Sequence, residues 1–341
     1  MSSARRLRDR PGLGLVFALL LLAAVEAVLH TDAFLFRYRA VFAAARAMDK
    51  VRYLESNPPT LLIVGNSRVD NGFDPRALAE RLHVAQSNSV FNLGLPGSDT
   101  RTLFGLLTRL DRKKLLGPGE IEFVVIGLDE GYLQPADSLG YEVFFADRTA
   151  MARHGEFGDL ARSLLRIWGF SDNLKELREP AKFERFVQAS RRSVEPVGGG
   201  AAEFAGYRAG FGGMQDAAQM GVQEVGSKQP PDLARIDYLN RSIQLLRHRG
   251  VRIAFVYPPL LNRDLLYVAP GDPAARPYLD IDRDLRDRGY PVIALEPGMR
   301  RDPAEFVNAG HLNDRGAKRY SALLADELAI RWPDLAVRLS R

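Results

Sequence analysis

The sequence contains no cysteine, so neither a disulfide framework nor a thiolate metal site can be built from it, and cysteine spacing gives no guide to its redox compartment. It also lacks a strong charge imbalance beyond its first residues. Of the formal +5, residues 1–10 carry +3, residues 11–30 carry −1 and the rest of the 341-residue chain carries +3. So small a surplus over so long a chain is not the footprint of a nucleic-acid-binding protein. No internal repeat is visible, and the first apolar strand is followed by Gly65-Asn66-Ser67-Arg68 with no GxGxxG pattern, which disfavours a dinucleotide fold. Apolar residues are not lacking. At 46% hydrophobic content the chain can bury the core of one large α/β domain or two small ones, and whole-chain disorder is excluded.

The N-terminus holds Arg5, Arg6, Arg8 and Arg10, followed by an apolar run from Gly12 to Leu29 whose first charged residue is Glu26. At 1.5 Å per residue such a helix spans about 27 Å, enough for a thin bilayer core or for a helix with snorkelling ends. The arginine cluster before the run, with His30 and Asp32 after it, predicts a cytoplasmic N-terminus by the positive-inside rule. The expectation is a single-pass anchor in a bacterial inner membrane, with the main domain periplasmic or extracellular. A cleavable signal peptide is the competing reading, since Val25-Glu26-Ala27 offers modest side chains at the cleavage-sensing positions. Glu26 within that tripeptide and the length of the run favour retention, and both targeting readings export the main domain. A buried core helix fits worse, because nothing polar interrupts the run before Glu26.

Residues 31–58 read as a linking helix, amphipathic from Ala33 to Tyr53 and ended by Pro58-Pro59. From residue 59 to 341 the pattern predicts an α/β domain. Short Val- and Ile-rich runs at Thr60–Gly65, Val90–Leu95, Glu122–Leu128, Val251–Tyr257 and Pro291–Leu295 alternate with helical segments. Uniformly apolar strands of this kind are buried on both faces of a parallel sheet. The expected architecture is a three-layer α/β/α fold with five parallel strands in the flavodoxin-like order 2-1-3-4-5 and right-handed crossovers. The alternation fails between about 134 and 231, which marks an insertion. Nine glycines between Val197 and Gly226 make its second half an expected irregular flap.

Ser67 follows the first strand by two residues and precedes a helix, at the carboxyl edge where open α/β sheets bind ligands. Turn serines are common, and position alone leaves a plain capping role open. The second strand ends in Asn92-x-Gly94-x-x-Gly97, where a glycine allows close backbone approach and a backbone amide directed at an oxyanion near Ser67. A nucleophilic serine needs a base, and there are five histidines. His30 borders the apolar run, His83 and His248 end amphipathic helices, and His154 lies in the insertion. His311 follows the last strand, just before the closing helix.

These blocks resemble the SGNH/GDSL hydrolase superfamily, nearest to its envelope acyl-transfer branch of alginate-acetylating periplasmic proteins and the teichoic-acid D-alanyl transfer protein. The resemblance covers residues 60–130 and 235–330. It implies Ser67 as nucleophile, Gly94 as an oxyanion amide beside that of Ser67, and His311 as base. The last block reads Asn308-Ala309-Gly310-His311-Leu312-Asn313 with Gly316. Two positions depart from the family. Asn308 stands where the family has the aspartate that orients the histidine. Asp129, in Gly127-Leu128-Asp129-Glu130, stands in the oxyanion block where the family has an asparagine, and an ionised Asp129 aimed at the oxyanion would repel it. The resemblance implies an O-acyltransferase or esterase acting on acyl esters of an envelope polysaccharide or related glycan. It also implies a membrane-bound O-acyltransferase as partner, and neither cofactor nor metal. The alternative, favoured by Asn308 and Asp129, is a catalytically altered subunit that binds glycan or scaffolds a membrane assembly.

Overall fold

A computed structural model describes residues 11–38, 45–84, 89–136, 140–171, 177–191, 205–210, 229–262, 276–297 and 301–341. The N-terminal arginine cluster lies outside the described residues, and so does most of the expected flap, of which 205–210 are described.

The chain opens with α1 (Pro11–Leu29), α2 (Asp32–Tyr38) and α3 (Ala45–Ser56). The window Gly12–Leu29 has a mean hydropathy of 2.5, none of it is buried, and it is long and apolar enough to cross a membrane. Next come β1 (Leu61–Gly65), α4 (Ser67–Asp70), α5 (Pro75–Arg81), β2 (Val90–Gly94), α6 (Thr100–Arg112) and β3 (Phe123–Gly127). Among the helices that follow are α7 (Arg148–Arg153), α8 (Phe157–Leu164), α9 (Arg166–Gly169) and α10 (Pro180–Arg191). The alternation resumes with α11 (Leu233–His248), β4 (Arg252–Tyr257), α12 (Arg276–Asp287), β5 (Val292–Ala294), the short strands β6 (Phe306–Asn308) and β7 (His311–Leu312), and α13 (Asp314–Arg331). The fold is α/β, and its five parallel strands lie in the order β2-β1-β3-β4-β5, as the sequence pattern predicts.

Local chemistry explains where the helices around the sheet begin. Asp74, Asp99, Asp232 and Asn313 are the N-caps of α5, α6, α11 and α13, each accepting a first-turn backbone N–H. A cap of this kind contributes about 1 kcal/mol. The strands alternate their side chains between two layers. Leu61, Ile63, Phe123, Val125, Ala254 and Val256 share one core cluster with Leu78 of α5 and Tyr320, Leu324 and Leu328 of α13. Leu62, Val64, Val124, Ile126 and Phe255 are equally buried and face the other way.

The described chain forms two compact units. One comprises residues 1–48, 142–144 and 148–195; the other comprises 49–141, 145–147 and 196–341 and holds the sheet. The division falls inside α3 and inside the insertion, where the sequence suggested a separate linker and one inserted block. Burial gives the reason at α3: Lys50, Val51 and Leu54 are fully or almost fully buried, so its second half is core.

Candidate active site

The site is assembled at the carboxyl edge of the sheet by backbone proximity. Gly65, Gly94 and Gly127 end β1, β2 and β3, with Gly65 in register with Gly94. A Cβ on Gly65 or Gly127 would lie within 2.3 Å or 2.1 Å of Val69 Cγ2, and one on Gly94 within 2.3 Å of the Asp70 amide nitrogen. Three strand ends without side chains therefore make the floor on which α4 sits. That helix carries Ser67 at its first position, and Asn66 caps it by accepting the Arg68 N–H.

Ser67 and His311 are 244 residues apart in sequence, yet Ser67 Oγ lies 2.9 Å from His311 Nε2. The antiparallel pairing of β6 with β7 sets Asn308 opposite His311. Asn308 Oδ1 lies 3.0 Å from His311 Nδ1 and accepts the Gly310 N–H at 3.0 Å. That second contact identifies the tautomer. A backbone N–H can only donate, so the Asn308 atom facing it is the carbonyl oxygen, and the same oxygen requires a proton on Nδ1. Nε2 is then the unprotonated nitrogen, oriented to accept from the Ser67 hydroxyl. Asn308 thus orients the imidazole and brings no charge beside it.

The missing charge has an electrostatic consequence. Burial lowers the His311 pKa to about 4, the Arg68 and Arg208 guanidinium groups push it the same way, and Asp129 and Asp70 oppose them in part. The imidazole is therefore neutral throughout the physiological range. Replacing Asn308 with aspartate keeps both accepted hydrogen bonds and adds an anion beside the ring, which raises the His311 pKa by about 1 to 3. Imidazole chemical shifts followed against pH should show this rise. An unchanged His311 titration in Asn308→Asp would contradict the assignment of that contact.

Asp129, expected in the oxyanion block, is held by contacts within the fold. It is 1% exposed; its Oδ1 accepts the Tyr132 N–H at 2.8 Å, and its Oδ2 accepts Asn66 Nδ2 at 2.7 Å and lies 3.2 Å from Arg68 Nη1. Its charge is spent orienting the two residues that flank Ser67, so the repulsion feared from the sequence is offset by Arg68. Gly94, expected to offer an oxyanion amide, is engaged in the same way. Its N–H is donated to Asn92 Oδ1 at 2.7 Å and its carbonyl accepts from Lys50 Nζ, so both polar groups of that residue are committed within the fold. Gly94 serves the site by having no side chain. The Ser67 N–H remains, a first-turn amide of the kind a helix leaves without an intrahelical acceptor.

Sequence reasoning missed two contributors. Lys50, fully buried, donates to Asp70 Oδ1 and to the Gly94 carbonyl, both at 2.6 Å, bracing α4 from below. The signal for it was its place on the same helical stripe as Ala47, Val51 and Leu54. The other is residues 205–210 of the insertion. Ala205 accepts the Asn92 N–H, Arg208 donates its N–H to the Asp70 carbonyl, and the Tyr207 hydroxyl donates to Asp314. A Cβ on Gly206, whose φ is +83°, would lie 2.1 Å from the Asn92 carbonyl oxygen, so glycine is required there.

No protein-family model matches this sequence, and no curated protein matches it significantly.

Proposed function

We propose that this chain is a serine-dependent acyl-transfer protein of the SGNH-like kind, an O-acyltransferase or esterase acting on acyl esters of an envelope polysaccharide or related glycan. The observation that carries the reading is the relay Ser67 Oγ, His311 Nε2, His311 Nδ1 and Asn308 Oδ1, in which each contact is 2.9 or 3.0 Å. Its arrangement matches the logic of a nucleophile, a base and an orienting group.

In the proposed reaction Ser67 Oγ bonds to the acyl carbonyl carbon while its proton passes to His311 Nε2. The tetrahedral oxyanion is held by the Ser67 N–H. When the carbonyl re-forms, the bond to the leaving alkoxide breaks and that oxygen takes the proton from His311, leaving an acyl-serine. A glycan hydroxyl or water then gives its proton to His311 and attacks the acyl carbon, and as the bond to Ser67 breaks the Ser67 oxygen takes that proton back from His311. Because a neutral Asn308 steadies the protonated intermediate less than a carboxylate would, the proposed rates are modest.

The proposal places the protein in a bacterial inner membrane through α1, with its N-terminus cytoplasmic and the sheet unit on the outer side. A membrane-bound O-acyltransferase that passes acyl groups outward is the proposed partner. Incubation of the full-length chain with a fluorophosphonate should give a covalent adduct on Ser67, mapped by peptide mass spectrometry, and His311→Ala should lose the adduct. Absence of any adduct on Ser67 would support the second reading, a glycan-binding or scaffolding subunit. The amide at Asn308 and the internal use of Asp129 favour that alternative.

A further inference from the structure

Glu26 interrupts the apolar run near its C-terminal end, and its contacts explain why a carboxylate is there. It accepts the backbone N–H groups of Arg166 and, at 3.2 Å, Ile167, which open α9. Arg166 Nη1 donates to the Leu29 carbonyl at 3.0 Å, and His30 Nε2 lies 3.0 Å from Glu26 Oε1 and 3.1 Å from the Leu164 carbonyl oxygen. Residues 164–167 are thus tied by hydrogen bonds to the last turn of α1, all within one compact unit.

This tied segment exposes large apolar side chains. Leu164 is 47% exposed, Leu165 53% and Trp168 51%. Phe157, seven residues before Leu164 on the same face of α8, is 67% exposed. A soluble surface gains nothing from such a cluster, whereas a membrane interface does: tryptophan favours the headgroup level, where its ring is buried and its N–H stays wet. If α1 crosses the bilayer, its C-terminal turn lies at one interface, and whatever is fixed to that turn lies at the same depth.

We infer that α8 and α9 form an interfacial collar that inserts Leu164, Leu165 and Trp168 into the headgroup and upper acyl layer of the membrane crossed by α1. The inference rests on the reading of α1 as a span. A single membrane helix can tilt and rotate, and a second contact at the interface removes part of that freedom. Glu26 is the clamp, since it satisfies the first amides of α9 at the boundary where water is scarce.

Tryptophan provides the test, because the chain has only two and the other, Trp332, is 7% exposed within the sheet unit. The full-length chain is reconstituted into vesicles of phosphatidylethanolamine and phosphatidylglycerol containing lipids brominated high on the acyl chain. Fluorescence should fall by roughly half, the Trp168 share of two emitters, and Trp168→Phe should abolish the loss. Carbonate extraction of the same vesicles reads the span separately. A chain that resists carbonate but whose Trp168 is quenched by aqueous iodide and not by bromolipid would overturn the collar while leaving the span intact, and would assign the apolar face to a protein partner. A chain released by carbonate would overturn both.

Discussion

Ser67→Ala is expected to lower the release of acetate from p-nitrophenyl acetate by about 10³-fold or more, to the level reached by His311→Ala. The two effects should not multiply. Once the hydroxyl is gone the imidazole has no proton to accept, and once the imidazole is gone the hydroxyl is a poor nucleophile, so the double variant should match either single one. The measurement uses the full-length chain in detergent, with thermal melting run in parallel to exclude misfolding. A Ser67→Ala protein that keeps its rate would remove the nucleophile from the proposal. A transferase that ignores the activated ester is tested in cells. There a Ser67→Ala allele that fully supports an envelope phenotype lost on deletion would leave the scaffold.

The largest expected loss of stability is at Lys50. Lys50→Met replaces a fully buried ammonium by an apolar side chain of similar length and takes the Lys50 cation from Asp70, itself 1% exposed. Breaking a buried pair from one side costs about 3 to 5 kcal/mol, chiefly because the remaining charge stays desolvated. Adding Asp70→Asn removes that charge and should recover most of the loss, which identifies the penalty as electrostatic. Thermal or urea unfolding of wild type, both single variants and the double variant completes the cycle. A Lys50→Met protein as stable as wild type would show that the ion pair contributes little to the support of α4.

The sheet was legible because burial on both faces demands uniform apolar strands, and all five appear within a residue or two of their predicted ends. Ser67 and His311 were legible as neighbours by location, since both leave the carboxyl edge of the sheet, and they lie 2.9 Å apart there. The remaining site residues depend on contacts that no local pattern encodes. The Gly310 amide that fixes the orientation of Asn308 belongs to a hairpin two and three residues long, too short to leave a period. Asp129 reads in sequence as a threat to an oxyanion, and only its neighbours Asn66, Arg68 and Tyr132 reveal it as an orienting group. Residues 205–210 looked like part of a featureless glycine-rich stretch, yet they pair with the edge of β2.

The glycine floor under α4 has a consequence for heredity. At Gly65, Gly94 and Gly127 even a methyl group meets Val69 or Asp70 well inside ordinary contact distance, so any other amino acid at these three separated sites must push against α4. None of the three offers a side chain to chemistry, yet each acts on Ser67 through the helix it underlies. Mutational load in this chain therefore falls on residues that would look silent in any tally of functional groups.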